Sequence, residues 1–196
     1  KWVAYELQES ETDGEATRSN TFRMDPSYKG RQAMREDYSN SGYDKGHMAP
    51  AADMKWDEDV MKESFFLTNV CPQEHSLNSR DWLTVEKMAR DYANKCGKIW
   101  VVCGPIIGKN KYGTIGENKV VVPDAFFKAF LVKDGKGYQS VAFVMNNNTE
   151  HHETAHYLKT VNEVEKLTGF DLFPLLDDAL EETVEDTYNA GFWGIK

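Results

Sequence analysis

No stretch of this 196-residue chain is long and apolar enough to cross a membrane as a helix. No Gly-rich phosphate loop is present, which argues against a kinase, an NTPase or a dinucleotide enzyme. Cysteine is scarce: Cys71, Cys96 and Cys103 contain no C-x-x-C pair. A structural zinc site drawn from Cys71, His75 and Cys96 is therefore a poor fit, and buried free thiols are the simplest reading of the odd count. No repeat, low-complexity tract or Pro/Ser-rich linker divides the sequence, and its length suits one domain over residues 1–196. The chain opens Lys1-Trp2-Val3 with no initiator Met and no apolar leader, as expected after processing or trimming.

Positive charge is also in deficit. A net charge of −9 runs against a nucleic-acid partner, but the distribution matters more than the sum. Between Asp177 and Asp186 lie six acids and no base, so the rest of the chain carries −3. From Arg18 to Lys45 the balance is +2, with Arg18, Arg23, Lys29, Arg31, Arg35 and Lys45 against four acids. Local contact with phosphate is compatible with that upstream segment.

The patterning predicts an α+β fold, a mixed, mainly antiparallel central sheet flanked by helices. Strands are expected at Trp2–Leu7, at Gly42–Met48 and, as a strand or buried extended piece, at Phe65–Val70. Four more are expected at 98–103 (stopped by Gly104-Pro105), 119–122, 125–132 and 138–145, the last two joined by a hairpin at Asp134-Gly135-Lys136-Gly137. The clearest helix is Asn78–Lys95, where Trp82, Val85, Ala89 and Tyr92 form one apolar stripe, with Ser76 or Asn78 as its cap and Gly97 just past its end. Tyr157 to Leu167 and Asp177 to Tyr188 give two further helices.

Four residues suggest chemistry, each with a common structural use beside it. His47 follows Gly46, which lets backbone approach a ligand, while Asp44 or a carbonyl could orient the imidazole. Asn78, thirty-one residues on, is either a helix cap or an oxygen donor for a hard cation such as Mg2+. Glu86 lies two turns farther along the helix and could reach a metal-bound water, yet Glu86 and Arg90 also read as a surface i,i+4 pair. Asn69 could simply hold local backbone.

Taken in order, these residues resemble a family. Asp44-Lys45-Gly46-His47-Met48-Ala49-Pro50 is similar to the D-R-G-H-x-A-P signature of the DNA/RNA non-specific endonucleases, which are ββα-metal nucleases. Thr68-Asn69-Val70-Cys71-Pro72-Gln73 resembles the family's T-N-x-x-P-Q, and Asn78 through Trp82 to Glu86 its N-x-x-x-W-x-x-x-E. Arg18 to Asp25 resembles the R-x-x-x-F-R-x-D segment; Val102 to Pro105 and Thr168 to Asp171 fit the later strand and helix ends. The match spans most of the chain, and four ordered motifs outweigh the structural readings of His47 and Asn78.

The resemblance implies a ββα-metal site that hydrolyses phosphodiester bonds of DNA and RNA, leaving 5′-phosphate ends. It implies His47 as general base, Asn78 as the single direct protein ligand of Mg2+ (Mn2+ or another divalent ion substituting), and Glu86 bound to the metal through water. It places Arg18 on the phosphate, Arg90 and Lys45 on the substrate, Asn69 in support of the site, and Asp44 as the signature's supporting acid. Lys45 departs from the family's Arg and loses the planar fork that makes bidentate contacts. The expected partners are DNA and RNA, with no membrane and no obligate protein partner. Because family members are often secreted or periplasmic, export is expected. The rival readings are a catalytically inactive nucleic-acid-binding relative of the same fold and a phosphatase acting on small phosphoesters; the intact set of His47, Asn78, Glu86 and Arg18 argues against the first.

Overall fold

The structure is a computed structural model describing residues 1–196. Its centre is a five-stranded sheet in the order β1-β4-β7-β8-β9, formed by β1 (Val3–Gln8), β4 (Lys98–Ile106), β7 (Ala125–Asp134), β8 (Gly137–Asn146) and β9 (Leu158–Lys159), with every pair antiparallel. Two small two-stranded sheets stand apart from it. One joins β2 (Asp44–His47) to β3 (Val70–Gln73), the other β5 (Thr114–Ile115) to β6 (Val120–Val121). The helices are α1 (Glu58–Glu63), α2 (Leu83–Cys96), α3 (Val161–Thr168) and α4 (Asp178–Glu185).

Strand alternation divides the core into two layers. Ile99, Val101, Cys103, Phe126, Phe130, Val132, Val141 and Phe143 face α2 and pack on Trp82, Val85 and Ala89. Their neighbours Val102, Phe127, Ala129, Leu131 and Ala142 face the opposite way, onto Val161 and Val164 of α3 and Val184 of α4. A strand covered on both faces reads as an unbroken apolar run, which is why 125–132 is so legible in the sequence.

Several expected boundaries move for identifiable reasons. β4 does not stop at Gly104-Pro105 but runs to Ile106, with Pro105 opposite Phe126. β1 pairs with β4 only as far as Cys103, so Pro105 sits where one edge of β4 is already free and a missing N–H costs no ladder bond. The expected strand at Phe65–Val70 is instead a tight turn at Leu67–Asn69 followed by β3 through Pro72, again on a sheet that has only edges. Tyr157 and Leu158 precede α3 rather than opening it: Thr160 caps that helix, exchanging hydrogen bonds with Glu163, and Gly169 closes it at positive φ.

The predicted helix at Asn78–Lys95 extends over Leu77–Cys96, and its first turn, Leu77–Trp82, is a π-helix. Neither Ser76 nor Asn78 caps it. The Glu74 carboxylate accepts from the Ser76 and Leu77 backbone N–H groups, and the Asn78 N–H bonds back to the Glu74 carbonyl inside the helix. Asp81 anchors the wide turn, accepting from the Tyr157 hydroxyl and pairing with His151. Gly97 ends the helix at φ 80°, as its position suggests.

Candidate active site

β2, β3 and the Leu77–Cys96 helix form a ββα unit, and strand and helix touch at two points. Asp44 Oδ2 accepts from Asn78 Nδ2 at 2.9 Å, and the His47 carbonyl accepts from Trp82 Nε1 at 3.1 Å. Asn78 and Trp82 sit about one turn apart, so the helix start lies along the strand that carries His47.

Asp44 does not orient His47. The two are three residues apart on a strand and project to opposite faces. Asp44 serves Asn78 instead, and also faces His75 Nδ1 at 2.9 Å. Because its nitrogen is held by a carboxylate, the Asn78 amide must present its oxygen elsewhere. That removes the cap reading of Asn78 and leaves it an oriented oxygen donor.

The His47 ring is 9% exposed, walled by Phe22 at 5.3 Å between centroids and by Phe65 at 4.8 Å and 82°. Burial, and then the Arg18 guanidinium, push its pKa down to about 4, so it is neutral near pH 7 and free to take a proton. Nε2 is enclosed without a partner, which leaves Nδ1 as the ring nitrogen that can meet water. Arg18 is exposed, with its guanidinium 5.2 Å over the Phe65 ring. It is carried there by a segment that bonds across α1: the Ala16 N–H to the Lys55 carbonyl, the Arg23 N–H to the Phe65 carbonyl, and the Leu67 N–H to the Arg23 carbonyl. Lys45 shares the face of His47 and sits over Tyr38 at 5.3 Å and Phe22 at 5.6 Å. An ammonium suits that stacking position without needing the planar fork.

Asn69 reaches no substrate position. Its oxygen accepts from the Ala49 N–H, and its nitrogen donates to the Ala49 and Ser64 carbonyls. It is a clasp on the turn after His47, a positioning residue. Arg90, expected on the substrate, is ion-paired at 2.5 Å to Asp53, which is fully buried and also accepts from the Tyr5 hydroxyl at 2.7 Å. Removing one partner of such a pair costs about 3–5 kcal/mol. One nitrogen of the Arg90 guanidinium is thus held by the protein itself.

Glu86 is 8% exposed and no side chain hydrogen-bonds its carboxylate. Burial lifts its pKa to about 7; Lys128, Arg90 and Arg18 pull downward and Asp53 pushes up. It therefore does not form the surface pair with Arg90. The π turn takes more residues per revolution than an α turn, which brings Asn78 closer to the face of Glu86 than ideal helix geometry allows.

These donors suit one kind of metal. No group of three His, Cys, Asp or Glu side chains is arranged as a metal cage, and Cys71, His75 and Cys96 do not converge. All three thiols are free; Cys103 is buried, Cys71 and Cys96 partly so. One oriented amide oxygen and one unpaired buried carboxylate fit a hard cation that keeps most of its own water, the habit of Mg2+.

Sequence reasoning missed Asp53, Glu74, Asp81 and Lys128. Asp53 and Glu74 lie outside the quoted motifs, and Asp81 occupies a variable position within one. Lys128 carried a readable signal, a lone cation inside the apolar run Ala125–Val132.

Comparison with known proteins agrees with this fold. The profile described as DNA/RNA non-specific endonuclease matches residues 1–179. A mitochondrial nuclease EXOG of Xenopus laevis is 35% identical over 193 residues, covering 90% of this chain and 54% of its own length. Mitochondrial endonuclease G of Homo sapiens is 32% identical over 187 residues, covering 88% and 63% respectively, and a nuclease of Nostoc sp. is 28% identical, covering 94% and 70%. A crystal structure of an EndoG/EndoGI complex superposes with a TM-score of 0.82 at 26% identity, covering 90% of this chain and 79% of that one. The chain spans about half the length of the EXOG relatives it matches. The expectation of export is overturned here, since the EXOG and endonuclease G relatives are mitochondrial proteins. With its ββα unit in place and the family profile matched over residues 1–179, the chain belongs to the DNA/RNA non-specific endonuclease family.

Proposed function

We propose that residues 1–196 act as one Mg2+-dependent nuclease domain that hydrolyses phosphodiester bonds within DNA and RNA. The observation that carries this reading is the pairing of a neutral, nearly enclosed His47 beside Arg18 with an Asn78 whose amide nitrogen is tied back by Asp44.

Arg18 receives the scissile phosphate, its exposed guanidinium offsetting the charge that builds on the oxygens. His47, uncharged at neutral pH, takes a proton from the attacking water through Nδ1. Asn78 Oδ1 would hold the Mg2+ directly and Glu86 through a bound water, and the ion would supply positive charge against the negative charge that builds as the 3′ oxygen leaves. Asp44 keeps the Asn78 oxygen aimed, and Asn69 holds the turn that follows His47. Attack by water needs no 2′-hydroxyl, so DNA and RNA are equivalent at the reacting phosphorus and the cut leaves a 5′-phosphate. Contacts confined to phosphate give little base preference.

The test is a supercoiled-plasmid and single-stranded RNA cleavage assay with Mg2+ and with excess EDTA, the product ends read by 5′-phosphate-dependent ligation. Both polymers should be cut only with metal, giving ligatable ends. Cleavage unchanged by EDTA would sink the metal-dependent reading, and no cleavage in any divalent ion would favour a binding relative.

A further inference from the structure

In β7 the side chains of Phe126, Lys128, Phe130 and Val132 project to the same face, and all four are fully buried. An ammonium in such a row costs several kcal/mol of desolvation unless its surroundings compensate. Lys128 Nζ donates to the Met48 carbonyl at 3.2 Å and lies 4.4 Å over the Trp82 ring. Its charge also acts on the Glu86 and Asp53 carboxylates.

The location gives this arrangement meaning. Met48 follows His47, and the preceding carbonyl, that of His47 itself, accepts from the indole N–H of the same Trp82. Two successive carbonyls at the end of β2 are thus held by the indole N–H and the ammonium, two groups that stack on each other. Trp82 belongs to the π turn that carries Asn78, with Glu86 one turn beyond it. Lys128 is consequently the point where the central sheet, the His47 strand and the Asn78–Glu86 helix are joined.

We propose that Lys128 is a positioning residue for phosphodiester hydrolysis, fixing His47 relative to Asn78 and Glu86 by gripping the Met48 carbonyl and the Trp82 ring together. This rests on the function proposed above. A residue kept for stability alone would be better replaced by an apolar one of similar length, since burying a charge without a close counter-ion is seldom stabilising. The Met48 carbonyl would not be orphaned by that change, because the Cys103 thiol also reaches it at 3.2 Å.

The experiment compares Lys128→Met with the parent and with His47→Ala, measuring thermal midpoint, kcat and KM on DNA with Mg2+, and Mn2+ binding by electron paramagnetic resonance in the absence of nucleic acid. Lys128→Met should melt at or above the parent, with kcat down and Mn2+ affinity weakened by about 10–100-fold, the usual effect of losing support around a metal site. KM for DNA should stay within a few-fold of the parent, because Lys128 touches no substrate. Parent-like kcat and Mn2+ affinity would overturn the proposal. If Lys128→Met does not fold, Lys128→Gln, which removes the ammonium over the Trp82 ring but keeps a polar N–H near the Met48 carbonyl, should show the same split, and parent-like behaviour there would also overturn it. A parent that neither cuts DNA nor binds Mn2+ would sink the functional reading itself, and this inference with it. A cutting parent with an indifferent Lys128→Met would sink this inference alone.

Discussion

Each face of the central sheet buries a glutamate, and the two have opposite surroundings. On the α2 face, Glu86 is raised to about 7 by burial while Lys128, Arg90 and Arg18 draw it back. On the α4 face, Glu185 is 1% exposed, its Oε1 has no partner, and burial together with Glu165, Glu181 and Asp171 raises it to about 8. A perturbed carboxyl by itself does not mark a site. Glu86 fits the proposed site because fixed cations keep its charged form within reach and because it shares a helix with an oriented Asn78. Glu185 has only like charge about it and is stable as the neutral acid.

Substitutions can break this comparison or sharpen it. The largest effect is expected on the α2 face: His47→Ala should lower kcat by about 10²–10⁴-fold, the range general-base catalysis supplies, without loss of Mn2+ binding. Cleavage near the parental rate by a metal-free-purified variant would remove His47 as the base. Next comes the pair Glu86→Gln and Glu185→Gln. Glu86→Gln should cut activity by about 10–100-fold, as loss of a metal-water partner does, whereas Glu185→Gln should leave kcat and KM unchanged. Equal losses in both would show that the two faces do not differ as described.

The smallest effect is in stability. The folded state holds the Glu185 proton up to about pH 8, while the unfolded chain releases it near 4.5. Between those values the folded state binds more protons, so this contribution is complete below pH 4.5 and is lost as pH rises through 8. Glu185→Gln should therefore match the parent's thermal midpoint at pH 5 and exceed it at pH 9, by about 2–4 °C for each kcal/mol regained. A parent whose midpoint is flat from pH 5 to 9 would contradict the burial of an uncompensated acid.

The active-site residues were legible to different depths. His47, Asn78 and Arg18 lie in ordered motifs, and the structure sets Asn78 against Asp44 and the Arg18 charge near His47. Whether Asp44 or a carbonyl served His47 stayed open in the sequence, because strand parity decides which face Asp44 serves and the motif does not show it. The resemblance places Arg90 on the substrate, while its contact with Asp53, thirty-seven residues away, was not legible because no pattern links the two. The strand boundaries at Pro72 and Pro105 moved because a proline ends a strand only where both edges are paired.

Periodicity along the chain was enough to name the fold class and the amphipathic helix, and the fixed ordering of motifs was enough to place the chain in its family, since each depends on near neighbours or on sequence order. Packing alone assigned the partners: Asp44 to Asn78, Asp53 to Arg90, Lys128 to the Met48 carbonyl. Those pairings join elements distant in sequence, and their energies come from burial and low local dielectric, which exist only once the chain has folded.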